Sequence, residues 1–393
     1  MALKSKIIKK HKKIKNRPSK KPFSKLPLIF SGIIIVLIII ISGFYLLIRT
    51  NQTFAANFAD NVLRPIIGNQ ITINIEAVFF GLEDNVNRVK YSLVKSNPSD
   101  FTHPTKPANE SVYQTPGFNL ERISSLSYFP PFPDEGAWNQ IYNGTSGALL
   151  AKTFVRPDPQ RSYAIAYLVK MNMDSLTLHD VAGLVEPGGR ENPGPGKIPT
   201  SVQKSNLLVA SFNGGFQRKD GQYGMIVDGK TYLPLQKNLA TLIMYSNTKP
   251  QIINYNGQDL GLNVLAVRQN GPMLLENSKD VTSSSQWNME TWGLTTTNSM
   301  YTWRSGVGVT KDGNLIYAAG PSLVPQTLST ALKAAGAVNA MQLDINPVWV
   351  RFTIFNSLGN GLYKYYPLTK DMTNGGYPDL TGYQKDFFYL VQK

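Results

Sequence analysis

The sequence predicts an α+β fold: a mixed, strand-rich sheet with few helices, preceded by one N-terminal transmembrane helix. Three observations carry this. Residues 26–48 hold no charged side chain. From about residue 140, apolar runs of strand length recur between clusters of Gly, Pro, Asn and Asp, the pattern of sheet segments joined by turns. One helical apolar face stands out among them, at Leu328, Ala331, Leu332 and Ala335.

The N-terminus divides sharply by charge. Residues 1–25 carry ten lysines, one arginine and no acid. The uncharged stretch from Leu26 to Ile48 is 23 residues long, enough at about 1.5 Å per residue to cross a hydrocarbon core of about 30 Å. The Lys/Arg excess before it predicts a cytoplasmic N-terminus and an extracytoplasmic main domain. The run is too long for a signal-peptide core of about 7–15 residues. It closes in Tyr45-Leu46-Leu47-Ile48, without an Ala-x-Ala cleavage pattern, so an uncleaved anchor in a lipid bilayer is expected.

This tail accounts for most of the basicity. The chain has a formal net charge of +15. Without the tail and Arg49, 28 basic residues face 25 acidic ones, which removes the ground for a nucleic-acid partner. The chain has no cysteine. Disulfide partners, thiolate catalysis and Cys-ligated zinc are therefore excluded, and an anchored bacterial surface protein fits.

The expected organisation is a basic cytoplasmic tail (1–25), an anchor (26–48), a stalk with an extended Pro-rich segment (49–140) and a folded domain (141–393). In the stalk, Ile71, Ile73 and Ile75 alternate with polar residues, as in an extended segment. Seven prolines between Pro98 and Pro133 argue against a long helix there. Its aromatics Tyr128, Phe129 and Phe132 favour a loop wrapped on the domain. Strands are expected at 162–169, 207–212 and 262–267. A hairpin turns at Asp312-Gly313 between 306–309 and 315–318. A helix capped by Thr327 and ended by Gly336 follows, then a buried strand from Val338 to Leu343. Tyr363, Tyr365, Tyr366 and Phe387-Phe388 are expected to close the core.

Several common catalytic devices are absent. The stretch Gly188–Lys197 lacks the first glycine and the final Ser/Thr of a phosphate loop. No Gly-x-Ser-x-Gly elbow exists. Beyond the anchor the only histidines are His103 and His179, too few for a His-rich metal site, and His179 reads as structural. Three polar segments remain. Asn213-Gly214-Gly215 follows a buried strand, either as a plain hairpin turn or as a backbone nest for an anion. Gln269 and Asn270 end another strand, as ligand contacts or as a turn. Arg304-Ser305 opens a glycine-rich strand, and Asp344 ends an apolar one. An arginine fork can bind two phosphate oxygens, and a carboxylate can act in acid–base chemistry. Alternatively Arg304 and Asp344 pair with each other, or Asp344 opens a turn through Asn346-Pro347.

From about 150 to 392 the chain resembles the phosphodiester glycosidase family, the bacterial relatives of the enzyme that uncovers mannose 6-phosphate. Asn213-Gly214-Gly215-Phe216 is similar to the family's Asn-Gly-Gly-aromatic segment. Arg304-Ser305-Gly306-Val307-Gly308 with Asp312-Gly313 resembles its Arg-Thr/Ser strand. Thr327-Leu328, Gly336-Ala337 and Leu343-Asp344 resemble its helix, Gly-Ala step and Leu-Asp strand end. Ala182-Gly183, Glu186-Pro187 and Arg268-Gln269-Asn270 look like the membrane-anchored branch. The family's Leu-Asp is followed by Gly-Gly. Here Ile345-Asn346-Pro347 follows instead, adding bulk and removing a backbone donor.

The resemblance implies hydrolysis of a sugar-1-phosphodiester in an envelope glycan or phosphosugar polymer. Arg304 and the amides near Gly214 and Gly215 would stabilise the phosphate. Asp344 would orient water or sugar, with Glu186 as a second carboxylate. Asn213, Gln269, Asn270 and Ser305 would contact substrate. No cofactor is required. A divalent cation on Asp344 is chemically open, although no ligand spacing demands one. The alternatives are a domain that binds phosphosugar polymer without cleaving it, and a structural envelope protein.

Overall fold

Residues 128–144, 147–283, 301–345, 347–373 and 375–393 are described in the computed structural model, with shorter stretches at 43, 58, 62–68, 71, 84–91, 117–124, 126 and 292. Apart from Gly43, the expected anchor at 26–48 lies outside the described residues, as does the alternation at 71–75 apart from Ile71. Among the described residues no helix is long and apolar enough to cross a membrane.

The strands are β1 (Asn139–Gly144), β2 (Gly147–Val155), β3 (Ala166–Met171), β4 (Leu176–Val181), β5 (Leu208–Asn213), β6 (Met225–Val227), β7 (Lys230–Leu233), β8 (Leu239–Tyr245), β9 (Gln251–Tyr255), β10 (Val264–Gln269), β11 (Met273–Glu276), β12 (Lys279–Asp280), β13 (Thr302–Thr310), β14 (Leu315–Leu323), β15 (Ala337–Ile345), β16 (Phe352–Gly359), β17 (Leu362–Pro367) and β18 (Phe387–Gln392). They form an eight-stranded sheet, β1-β2-β3-β14-β13-β15-β11-β12, and two five-stranded sheets, β7-β6-β10-β8-β9 and β17-β16-β5-β18-β4. Every pairing is antiparallel. Strand-rich sheets with few helices match the expected α+β class.

Side-chain alternation sorts the eight-stranded sheet into two faces. Leu315, Tyr317 and Ala319 of β14 join Val307, Met341 and Leu343 in the main core, against Phe212, Phe352 and Phe388 of one small sheet and Leu242 and Met244 of the other. Ile316 and Ala318 face the other way, onto Leu328, Ala331 and Leu332 of the helix Pro325–Ala334. Glycine in β13 allows that helix its close approach. A Cβ on Gly306 would stand 3.1 Å from Leu328 Cδ2 and 3.3 Å from Leu332 Cδ1.

The expected strands and the 310–315 hairpin form, with boundaries shifted by up to a few residues. The helix begins earlier than expected. Pro325 occupies its first turn, and Thr327 caps it from within: the Val324 amide donates to Thr327 Oγ1 at 2.9 Å. At the C-terminus Phe387 and Phe388 are fully buried, whereas Tyr365 is exposed. The Pro-rich segment packs on the sheet where it is described. Phe118 and Ile123 are buried, and Glu135 accepts from Arg156 Nη2 at 2.6 Å. Asp84 accepts from Arg161 Nη2 at 2.8 Å.

Candidate active site

β5 ends in the centre of its sheet, between β16 and β18, so Asn213-Gly214-Gly215 emerges from buried backbone. Asn213 uses every polar atom of its side chain. Its Nδ2 donates to Ser305 Oγ at 2.9 Å and to Gly214 O at 3.0 Å. Its Oδ1 accepts from Tyr317 OH at 2.9 Å and from the Arg351 amide at 3.1 Å. The next two amides are also committed: Gly214 N donates to the Asp386 carbonyl at 3.1 Å, and Gly215 N to Asp386 Oδ2 at 3.0 Å. A Cβ on Gly214 would lie 2.0 Å from that same oxygen, which explains the glycine. The expectation that these amides cradle a phosphate is therefore corrected, because a buried carboxylate of the protein already occupies them.

Arg268, absent from the expected site, anchors Asp386. It is fully buried and donates through Nε to Asp386 Oδ2 at 2.8 Å. Its other nitrogens reach the carbonyls of Tyr223, Gln269 and Phe216. Gln269 bridges Gln236 and Thr241. Asn270 donates to the carbonyls of Gln342 and Leu343 and accepts from the Phe216 amide. Asn213, Gln269 and Asn270 thus bind protein groups, not sugar hydroxyls, because buried polar atoms must be satisfied within the fold.

Arg304 and Ser305 turn to opposite faces of β13. Ser305 Oγ donates to the Asp344 carbonyl at 2.9 Å on the side of Asn213. Arg304 lies on the helix side with Gly306. Its Nε donates to Leu323 O at 3.0 Å, and its Nη1 to Trp292 O at 3.0 Å and Gln342 Oε1 at 2.9 Å. The Arg304 guanidinium and the Asp344 carboxylate do not converge, and they do not pair. Strand alternation between neighbouring residues is the reason.

Asp344 pairs instead with Lys385, and its Oδ1 accepts from the Ile345 amide at 2.9 Å. Asp344 and Lys385 are only 3% and 4% exposed, which places the pair where desolvation dominates. Burial pushes the Asp344 carboxyl up to about 6, against the pull of Lys385. Burial also works against the Lys385 ammonium, but the Asp344 charge overrides it and leaves that group above its usual range. The Lys385 Nζ lies 4.7 Å from the centre of the half-buried Trp349 ring.

Glu186 stands in the same electrostatic neighbourhood. It is half-buried and accepts from the Arg218 amide at 2.7 Å. Burial raises its carboxyl, with Lys385 opposing and Asp386 and Asp220 adding to the rise. Asp220 also raises Asp344. The expected carboxylates Glu186 and Asp344 are thus linked through Lys385 and Asp220, two residues that sequence reasoning missed. The available signal was the charged pair Lys385-Asp386 placed directly before a buried strand. A second missed guanidinium, Arg351, is buried behind Asn213. It bonds Asp379 Oδ2 at 2.7 Å, lies 4.3 Å from the Tyr383 ring centre, and leaves Nε and Nη2 without a hydrogen-bond partner. No cluster of metal-ligating side chains occurs among the described residues.

Comparison with known proteins bears out the resemblance over part of the chain. Residues 206–344 match the sequence model of the phosphodiester glycosidase family. The match runs from just before β5 to Asp344, so Glu186, Arg351, Lys385 and Asp386 lie outside it. No curated protein matches the chain. Among solved structures, the chain is similar to the zebrafish N-acetylglucosamine-1-phosphodiester alpha-N-acetylglucosaminidase catalytic domain auto-inhibited by its pro-peptide. That likeness has 16% identity and a TM-score of 0.42, covering 64% of this chain and 86% of the other. A hypothetical protein from Synechocystis is 12% identical, with a TM-score of 0.30 and coverage of 58% and 59%. A putative exported protein from Burkholderia pseudomallei is 11% identical, with a TM-score of 0.30 and coverage of 58% and 74%.

Proposed function

We propose, from the premise that residues 206–344 carry phosphodiester glycosidase sequence, that the protein hydrolyses a glycosyl-1-phosphodiester bond in an envelope glycan or phosphosugar polymer. One observation carries this reading. Asp344 is a buried carboxyl raised to about 6, held by Lys385, and it shares Lys385 and Asp220 with the second carboxylate Glu186. Titratable groups shifted towards neutrality by burial and a specific partner mark acid–base sites.

Above about pH 6 the ionised Asp344 takes a proton from water as the water oxygen bonds to the anomeric carbon. The bond from that carbon to the phosphate oxygen breaks, and its electron pair leaves on the phosphate. The leaving phosphate is stable as an anion, so it needs little protonation. Glu186, also raised, supplies a proton where one is needed. Lys385 fixes the Asp344 carboxylate, and the Trp349 ring beside it offers an apolar face to a sugar. The anchor expected at 26–48 would hold this chemistry outside the cytoplasm, beside envelope polymers.

One observation favours the non-catalytic alternative, a domain that binds phosphosugar without turnover: Ile345-Asn346-Pro347 stands after Asp344 where the family has Gly-Gly, adding bulk and removing a backbone donor beside the carboxylate. The two readings separate in one experiment. The full-length chain is incubated with an N-acetylglucosamine-1-phosphodiester and free sugar is measured. The hydrolase reading expects release that falls by about 10²–10⁴-fold in Asp344→Asn, the range for loss of a general base. Binding without release, or release that Asp344→Asn leaves unchanged, overturns it.

A further inference from the structure

A hollow of about 240 Å³ opens between the edge strand β4 and strands β6 and β10. None of the residues of the candidate active site lines it. Its wall holds His179, Asp180, Lys197, Asp228, Tyr232 and Tyr389. Asp180 is the unusual member. It is 6% exposed, and neither of its carboxylate oxygens has a hydrogen-bond partner. Burial and the charge of Asp386 raise it well above the usual carboxylate range, with Arg268 and the adjacent Val181 amide, too poorly aligned to satisfy it, opposing. When ionised it adds to burial in raising the Tyr232 and Tyr389 hydroxyls in the same wall. A buried carboxyl with two unsatisfied oxygens is costly unless a partner supplies hydrogen bonds.

We propose that this hollow is a binding site for a single neutral sugar ring, whose hydroxyl groups bond Asp180. Size comes first: the volume lies below the roughly 300–1,000 Å³ of pockets for drug-sized ligands, and so fits one ring. Chemistry is the second ground. A protonated carboxyl both donates and accepts, as a hydroxyl does. The Tyr232 and Tyr389 rings, the latter stacked 4.9 Å from His179, supply the amphipathic surface that a sugar ring covers.

This site stands apart from the hydrolase reading, and its test measures binding alone. Calorimetry and ligand-observed NMR on the full-length chain would use a panel of neutral monosaccharides, with inorganic phosphate and a tetraalkylammonium ion as charged probes. The expected result is binding of at least one sugar. It weakens about tenfold or more in Asp180→Leu, as for loss of hydrogen bonds to a buried carboxyl. It is lost in Val227→Trp, which fills the hollow from its half-buried wall. Thermal unfolding of both variants shows that they fold. Binding of no sugar, binding only of a charged probe, or sugar binding that survives in folded Val227→Trp overturns the proposal.

Discussion

Arg304 is wholly buried and donates to two carbonyls and to Gln342, and burial lowers its pKa to about 9. Its work is therefore to hold β13 against Trp292, Gln342 and the end of β14. Arg304→Met would leave Leu323 O, Trp292 O and Gln342 Oε1 without these donors, at a cost of about 1–3 kcal/mol each before relaxation. We expect a fall in stability of roughly 3 kcal/mol in urea unfolding, with residual activity in the folded fraction. Unchanged stability with complete loss of activity would place Arg304 in contact with substrate instead. At this scale the sequence revealed which residues are special without revealing why. The polar groups of Asn213, Gln269 and Asn270 are short-range punctuation on strands. Their partners lie up to 138 residues away, as with Asn213 and the Arg351 amide. Asp344 could be recognised as a carboxyl ending an apolar strand. Its partner Lys385 lies in the bend just before β18, a strand of another sheet, and no local periodicity marks that pairing.

Among the elements, the hairpin at Asp312-Gly313 and the helix Pro325–Ala334 were the most readable, because turn chemistry and a 3.6-residue apolar face are local properties. The helix start was misread because a threonine at the third helical position satisfies the Val324 amide as a cap residue would. Opposite placement of Arg304 and Asp344 was not readable, since it depends on the register of β13 against β15, where a bulge falls between Arg304 and Gly306. The helix itself is held by Leu328 and Leu332, both fully buried against the glycine strand. Leu328→Ala is expected to cost about 2–5 kcal/mol. This would appear as a large drop in the thermal midpoint with the ligand-binding residues untouched. A change within about 0.5 kcal/mol, the range of surface substitutions, would show that the helix does not support β13.

Across the whole molecule, the proposed reacting centre is assembled from chain segments that the family match only partly spans. Asp344 closes the matched segment, Glu186 precedes it, and Lys385 arrives with the C-terminal strand, which pairs between β5 and β4. On the proposed reading, function requires that the C-terminus fold back beside Asn213, and that Lys385 tune Asp344. The pH dependence of kcat/KM tests this convergence most directly. Asp344 must be ionised to act as a base, so activity should rise with pH through about 6, its raised value. Lys385 opposes that rise, so Lys385→Met should move the acidic limb to higher pH while Lys385→Arg leaves it near the native position. An acidic limb that stays in place when the lysine charge is removed would contradict the account.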